Sequence, residues 1–404
     1  MAAARNILAG IILFAVLVIP TALGNISAYV ALLGGLLALP ALLDRPAFRA
    51  VLHSQGLRLL MLAFVLLALA LGFSAEAPND FGAIGDFVVL PLSLPLFALL
   101  FGLEKRFSVR LFALLCLAGT LVSVGVSLFE ILALGKDRAT GLASSAIFMG
   151  NVSVLLGFLA LGGVFVSSGF LRLAFVAAPL LGVTAALLSG TRGALVAAVV
   201  LAAAFALFCL LRSGRDRGKI LLTGLLGGLA IVGATLLIGS QLGLLERIGF
   251  VFDLVASGET GDTSILYRLQ YYQAGLTAFQ DAPIFGHGWW RRFSAAMPYM
   301  SAELIGQGSG VSWAHLHNEL LNFAVGMGAV GVLAYVCMLV APLSGVQWRS
   351  LEPEDRALQA MAITLSLGML CMGLFDVMMI FEMPKTVYVF ATTILLALSM
   401  RRAA

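Results

Sequence analysis

Two histidines, an amide and an acid stand where a long apolar run begins: His315, His317, Asn318 and Glu319, in the stretch HLHNELLNFAVGMGAVG at 315–331. An unprotonated imidazole accepts a proton, so the cluster contains a candidate base. Arg268, Arg291 and Arg292 precede it, and Arg192 lies in an earlier turn between two apolar runs. A guanidinium forks onto phosphate or carboxylate oxygens and keeps its charge when desolvated. Together these residue types suit a site for an anion with a base beside it.

The elements that must carry them are membrane helices. Hydrophobic residues are 61% of the 404 positions and charged ones 11%, with a mean hydropathy of +1.06. Soluble domains carry roughly 25% charged residues. A bilayer crossing needs about 20 mostly apolar residues, and runs of that kind lie near 6–23, 26–43, 57–75, 84–103, 111–134, 145–167, 171–188, 193–211, 220–239, 319–342, 357–378 and 384–400. The expected class is therefore an all-α polytopic membrane protein with about twelve spans. The first run, followed at once by others without a convincing cleavage site, reads as a retained helix and not as a signal peptide. Three parts follow: a bundle over 1–239, a large loop over 240–318 and C-terminal spans over 319–404. All four cysteines sit inside apolar runs without CxxC spacing, which argues against disulfide and zinc frameworks. The basic balance has no dense patch of the kind that binds nucleic acid.

With both termini cytoplasmic, sixteen Lys and Arg fall inside and eight outside, as the positive-inside rule requires. That orientation puts the 240–318 segment and the histidine mouth on the outer, periplasmic face. The few outer arginines gather around that segment.

Several residues there fit two roles each. Arg192 sits in a turn, Ser189 to Gly193, where flanking glycines let backbone approach a ligand; it equally suits a hairpin arginine snorkelling to the interface. The segment GDTSILYRLQYYQAGLTAFQDAP has capping residues at its start and Pro283 after its end, so it reads as a helix. Ile265, Leu269, Tyr272, Leu276 and Phe279 form its expected apolar stripe. Tyr267 and Arg268 border that stripe, so Arg268 either reaches into a cleft or serves as an ordinary interfacial cation. Gly286 and Gly288 bracket His287, and Trp289 and Trp290 come next, suited to interfacial anchoring or to stacking on a sugar. Ser312 is a candidate cap for a helix running through His315 and His317. Two residues apart on such a helix, the histidines would face different sides, and at most one would face a site.

Three motifs make the chain resemble the O-antigen ligase family, within the group of O-antigen ligases and polymerases. One is the small-residue–Arg–Gly turn, Ser189-Gly-Thr-Arg192-Gly193. The second is Tyr267-Arg268 followed by Pro283-x-x-Gly286-x-Gly288. The third is His317-Asn318, nine residues, Gly328, two residues, Gly331. The resemblance implies a glycosyltransferase of C-type architecture, with one large periplasmic loop of short helices, in the bacterial inner membrane. It implies transfer of a glycan from undecaprenyl diphosphate to lipid A-core oligosaccharide, without metal or other cofactor. Arg192, Arg268 and His317 would take the family's essential positions, and His315, Asn318, Tyr267, Trp289, Trp290, Arg291 and Arg292 become candidate substrate contacts. No metal-spaced His/Glu cluster or outer Asp-x-Asp is evident in the sequence. An O-antigen polymerase or a protein-glycosylating relative is the nearest alternative. A transporter or flippase suits the sequence less, because no internal repeat is visible.

Overall fold

A computed structural model describes residues 2–103, 107–142, 145–212, 233, 263–302, 304–305 and 315–403. Among these residues the chain is helical, without strands. Its principal helices are α1 (Ala2–Leu17), α2 (Asn25–Leu37), α3 (Gln55–Ser74), α4 (Val89–Phe101), α5 (Val109–Leu132), α6 (Ala146–Leu161), α7 (Gly169–Ser189) and α8 (Arg192–Arg212). After these come α9 (Thr263–Asp281), α10 (Glu319–Ser344), α11 (Pro353–Phe375) and α12 (Glu382–Ala403). Serines cap several starts: Ser108 accepts from Leu111 N–H at 3.2 Å and Ser145 from Ile147 N–H at 3.3 Å, satisfying donors that lipid would leave unpaired.

Ten helices among the described residues are long and apolar enough to cross a membrane. The protein is a multi-pass membrane protein. The first expected run is broken after Leu17, where a short second helix starts at Pro20. The expected span at 220–239, apart from residue 233, lies outside the described residues, as do 240–262 and 306–314, including the cap assigned to Ser312. The spans differ in how much protein surrounds them. The apolar window of α12 is 94% buried, against 33% for the span that starts with α2. The C-terminal helix is thus the most enclosed of the described spans, while the spans that start at Asn25 and Arg192, each 33% buried, present the most surface to lipid.

One end of the bundle is held together by backbone pairing. Inside α10, Gly328 takes φ 64° and ψ −159°, which interrupts the helical ladder. The segment 283–288 docks into that interruption. Ala329 N–H donates to Pro283 O at 2.8 Å and Val330 N–H to Ile284 O at 3.2 Å; His287 N–H donates to Val325 O and Gly288 N–H to Gly326 O, both at 2.9 Å. The approach is so close that a Cβ on Gly286 would overlap the Met327–Gly328 backbone, and one on Gly328 would overlap Ile284. Gly286 also has φ 69°, a conformation that glycine enters at little cost. The spaced glycines of two separate motifs are thereby two sides of one contact.

The amphipathic reading of α9 needs correction. Leu269 and Leu276 are exposed, whereas Tyr271, Ala274 and Ala278 are buried. Small residues form the packed face because α9 lies very near the start of α10. A Cβ on Gly275 would meet the Leu321 side chain at 2.6 Å. Leu269 and Leu276 point the other way, as suits a helix against lipid, whereas Tyr272 and Phe279 of the expected stripe pack against the buried cluster.

Gly328→Ala is expected to destabilise the detergent-solubilised protein by about 1–3 kcal/mol, through a conformation nearly closed to other residues. Gly125→Ala, where a new Cβ meets nothing within 4 Å, is expected to be neutral or stabilising. Thermal unfolding of the two variants against wild type checks the contrast.

Candidate functional site

The histidine mouth does not lie on a helix. Asn318 is the N-cap of α10, with its Oδ1 accepting from Leu321 N–H at 3.0 Å, so helix geometry begins only at Glu319. An asparagine followed by an acid in the first turn is a strong helix start, which explains why the helix expected through His315 and His317 does not form. His317 instead adopts φ 49°, a left-handed conformation that side-chain-bearing residues hold only when their surroundings enforce it. This turn brings the two imidazoles together, with ring centroids 4.3 Å apart. The expectation that they face different sides is overturned.

The surroundings come from the end of α11. Leu374 O accepts from Asn318 Nδ2 and from the Tyr272 hydroxyl, each at 3.2 Å, and Tyr272 also reaches His317 O at 3.1 Å. Asp376, 5% exposed, places Oδ2 3.6 Å from His317 Nδ1. That separation is an electrostatic contact and too long for a hydrogen bond. His317 Nδ1 is buried and has no hydrogen-bond partner. Beyond Asp376, the Met378 and Met379 N–H groups both donate to the fully buried Glu319 carboxylate. The start of α10 and the α11–α12 connection are therefore one hydrogen-bonded unit.

Charge around the unit is balanced. Burial favours the neutral His315 ring and pushes its pKa down to about 3, aided by His317 and by Arg292 and Arg268, while Asp376 opposes the shift. Burial works to raise the Asp376 pKa. The imidazoles and the Val377 N–H outweigh it and hold that carboxyl below the usual carboxylate range. Arg268, one turn before Tyr272 on α9, acts electrostatically on both Tyr272 and His315. Tyr267 lies a further residue back, partly buried against the α9 packing cluster.

Arg192 is the first residue of α8, after a tighter turn than the five residues expected. Gly190 takes φ 66° and caps α7, and only Thr191 separates it from Arg192. Arg138 holds the same turn from another loop, donating from Nε to Ser189 O at 2.9 Å. The turn abuts the histidine unit, since a Cβ on Gly193 would come within 2.9 Å of Phe375 Cβ, next to Asp376. Arg192, Arg268 and His317 thus belong to three elements that converge on the end of α11.

The remaining candidates have internal partners. Trp289 is 1% exposed. Its ring packs against Phe87 and Phe323, with the Arg292 guanidinium 4.5 Å from its centroid. Asp86 accepts from the indole N–H of Trp289 at 3.0 Å and of Trp290 at 3.1 Å; Trp290 stays half-exposed. Arg291 pairs with Glu76 at 2.5 Å and Asp80 at 3.4 Å. Arg292 is 4% exposed and burial lowers its pKa to about 10, against the charges of Glu319 and Asp86. The WWRR stretch therefore fastens the 283–288 segment to the 76–86 segment and to α10.

Sequence reasoning missed Asp376 as a member of the site. Its position at the end of a span was visible, but nothing linked it to His317 far upstream. The view that the chain has no metal-spaced cluster also changes. Donor atoms of His315, His317 and Asp376 all lie within 4.8 Å of one another, because the fold closes a gap that spacing along the chain cannot reveal.

Residues 177–336 match the sequence profile of the O-antigen ligases. The matched range covers Arg192, Arg268 and His317, together with both glycine motifs. No curated protein matches the chain.

Removing Arg292 takes away the buried cation that acts on the Glu319 carboxyl. Arg292→Ala is expected to cost on the order of 3 kcal/mol, and Arg292→Ala with Glu319→Gln less than the single change. Arg291→Ala, at a more exposed pair, should cost less than Arg292→Ala. A double-mutant cycle on melting temperature in detergent measures both differences.

Proposed function

We propose that the chain, whose residues 177–336 match the O-antigen ligase family, transfers a glycan from undecaprenyl diphosphate to lipid A-core oligosaccharide at the periplasmic face of the inner membrane. The observation that carries this reading is the convergence of a left-handed His317, the buried Asp376 and two arginine-bearing elements at one end of the bundle. The sixteen-to-eight bias of basic residues supports assigning that end to the periplasm.

The reaction needs two things. Negative charge grows on the departing lipid diphosphate, and Arg192 and Arg268 would offset it by forking onto phosphate oxygens. The acceptor hydroxyl must lose a proton as its oxygen attacks the anomeric carbon. His317 would take that proton, a contribution worth about 10²–10⁴-fold. Asp376, beside Nδ1, would orient the ring and favour the tautomer in which the opposite nitrogen receives the proton. The bond from the anomeric carbon to oxygen breaks toward the diphosphate, which leaves unprotonated. In-line attack from the opposite face inverts the anomeric configuration. In this reading guanidinium groups do the work that a divalent ion does in many glycosyl transfers. Asn318 and Tyr272 shape the turn through Leu374 O, and the exposed face of Trp290 remains a candidate sugar contact. The residues 291–292 and Trp289 would act by holding the site's frame.

Transfer from a lipid-linked glycan to lipid A-core by purified protein tests the proposal. His317→Ala should reduce the rate at least about 10²-fold with melting unchanged, and wild-type turnover by that variant would remove the base assignment. Arg192→Lys keeps the charge but loses the fork, so a large rate loss is expected; near-normal rates would favour a snorkelling arginine. EDTA-treated protein should retain activity. If products lengthen as repeat units without acceptor core, the protein is a polymerase of the same group.

A further inference from the structure

We propose that His315, His317 and Asp376 form a binding site for a divalent transition-metal ion such as Zn²⁺, and that the ion and the proton-accepting role of His317 exclude one another. The site stands independently of the proposed function, while the inhibitory consequence rests on that reading.

The geometry points to a shared ion in three ways. The three donor atoms fall within 4.8 Å of one another. His317 Nδ1 and Asp376 Oδ2 are 3.6 Å apart, beyond a hydrogen bond. Two ligands on one tetrahedral Zn²⁺, each about 2.0–2.2 Å from it, stand about 3.3–3.6 Å apart. His317 Nδ1 is moreover buried with no hydrogen-bond partner, so an ion there would satisfy an orphaned atom. His315 would surrender only a long hydrogen bond, the 3.3 Å one accepted from His317 N–H. Two imidazoles and one carboxylate leave a fourth, open position, suited to water or a phosphate oxygen.

Arg268 and Arg292 act on the same cluster and oppose a cation. Weak, chelator-reversible binding is therefore expected, selective for ions that favour imidazole over the oxygen-preferring Mg²⁺ and Ca²⁺. Zn²⁺ bound at His317 Nδ1 leaves the ring's single proton on Nε2, the nitrogen that would otherwise receive the acceptor's proton, and so removes the base.

Full-length, chelator-treated protein in detergent is titrated with Co²⁺, followed by its visible absorption, and with Zn²⁺ by calorimetry and by competition against Co²⁺. One equivalent should bind, with affinity at least tenfold lower in Asp376→Asn and in His315→Ala, while Mg²⁺ does not compete. Absence of saturable Co²⁺ and Zn²⁺ binding by wild type overturns the site, as does undiminished, wild-type affinity in both variants. The wild-type titration decides this even if a variant does not fold. Glycan transfer is read separately: Zn²⁺ should suppress it and EDTA restore it. Stoichiometric binding with undiminished transfer would leave the site standing and overturn the base role of His317.

Discussion

A break in one helix governs this end of the protein. Lipid offers backbone groups no partners, so an interrupted helix at the membrane boundary must find donors and acceptors elsewhere. Gly328 interrupts α10, and the backbone of residues 283–288 supplies the partners, pairing on both sides of the break. Because the contact is main chain against main chain, it needs glycine where a Cβ would collide. Everything downstream on the 283–296 segment, and the position of α9 before it, is referenced to this joint.

A buried set of charges fixes the second coordinate. Glu319 accepts from the α11–α12 connection while lying opposite the charge of Arg292, which stacks on Trp289. Asp86 ties the indoles to the segment after α3, and Lys385 of α12 donates to Asp86 O. Charges in so apolar a setting are costly unless paired. The arrangement therefore selects one register among the elements at this end of the bundle, and the His317–Asp376 contact forms within it. An imidazole held in a left-handed turn and flanked by a buried carboxylate depends on that rigidity, since nothing local favours its conformation.

Much of this was legible from residues alone. Eleven of the twelve apolar runs fall on described residues, and ten of them are helices long enough to span. The helix bearing Arg268 was visible from its capping residues and from Pro283. Where the reading of α9 failed, the cause is specific. Hydrophobic periodicity marks the packed face of a helix in water, but next to lipid large apolar residues face outward and small ones pack. The histidine turn was misjudged for a different reason. Asn318 outcompetes any earlier helix start, so the alternation expected of a helix never applied to His315 and His317.

Composition and the placement of Lys and Arg determined by themselves that this is a multi-pass helical protein, because the cost of burying charge and unpaired backbone in lipid leaves little choice. Residue type, spacing and family resemblance made Arg192, Arg268 and His317 the candidates. Only the tertiary structure decided that Asp376 joins His317, that the two imidazoles meet edge to face, and that Trp289 and Arg292 turn inward. Those outcomes depend on helix ends meeting after long excursions of the chain. Local preference carries no information about such meetings; packing and charge pairing in three dimensions settle them.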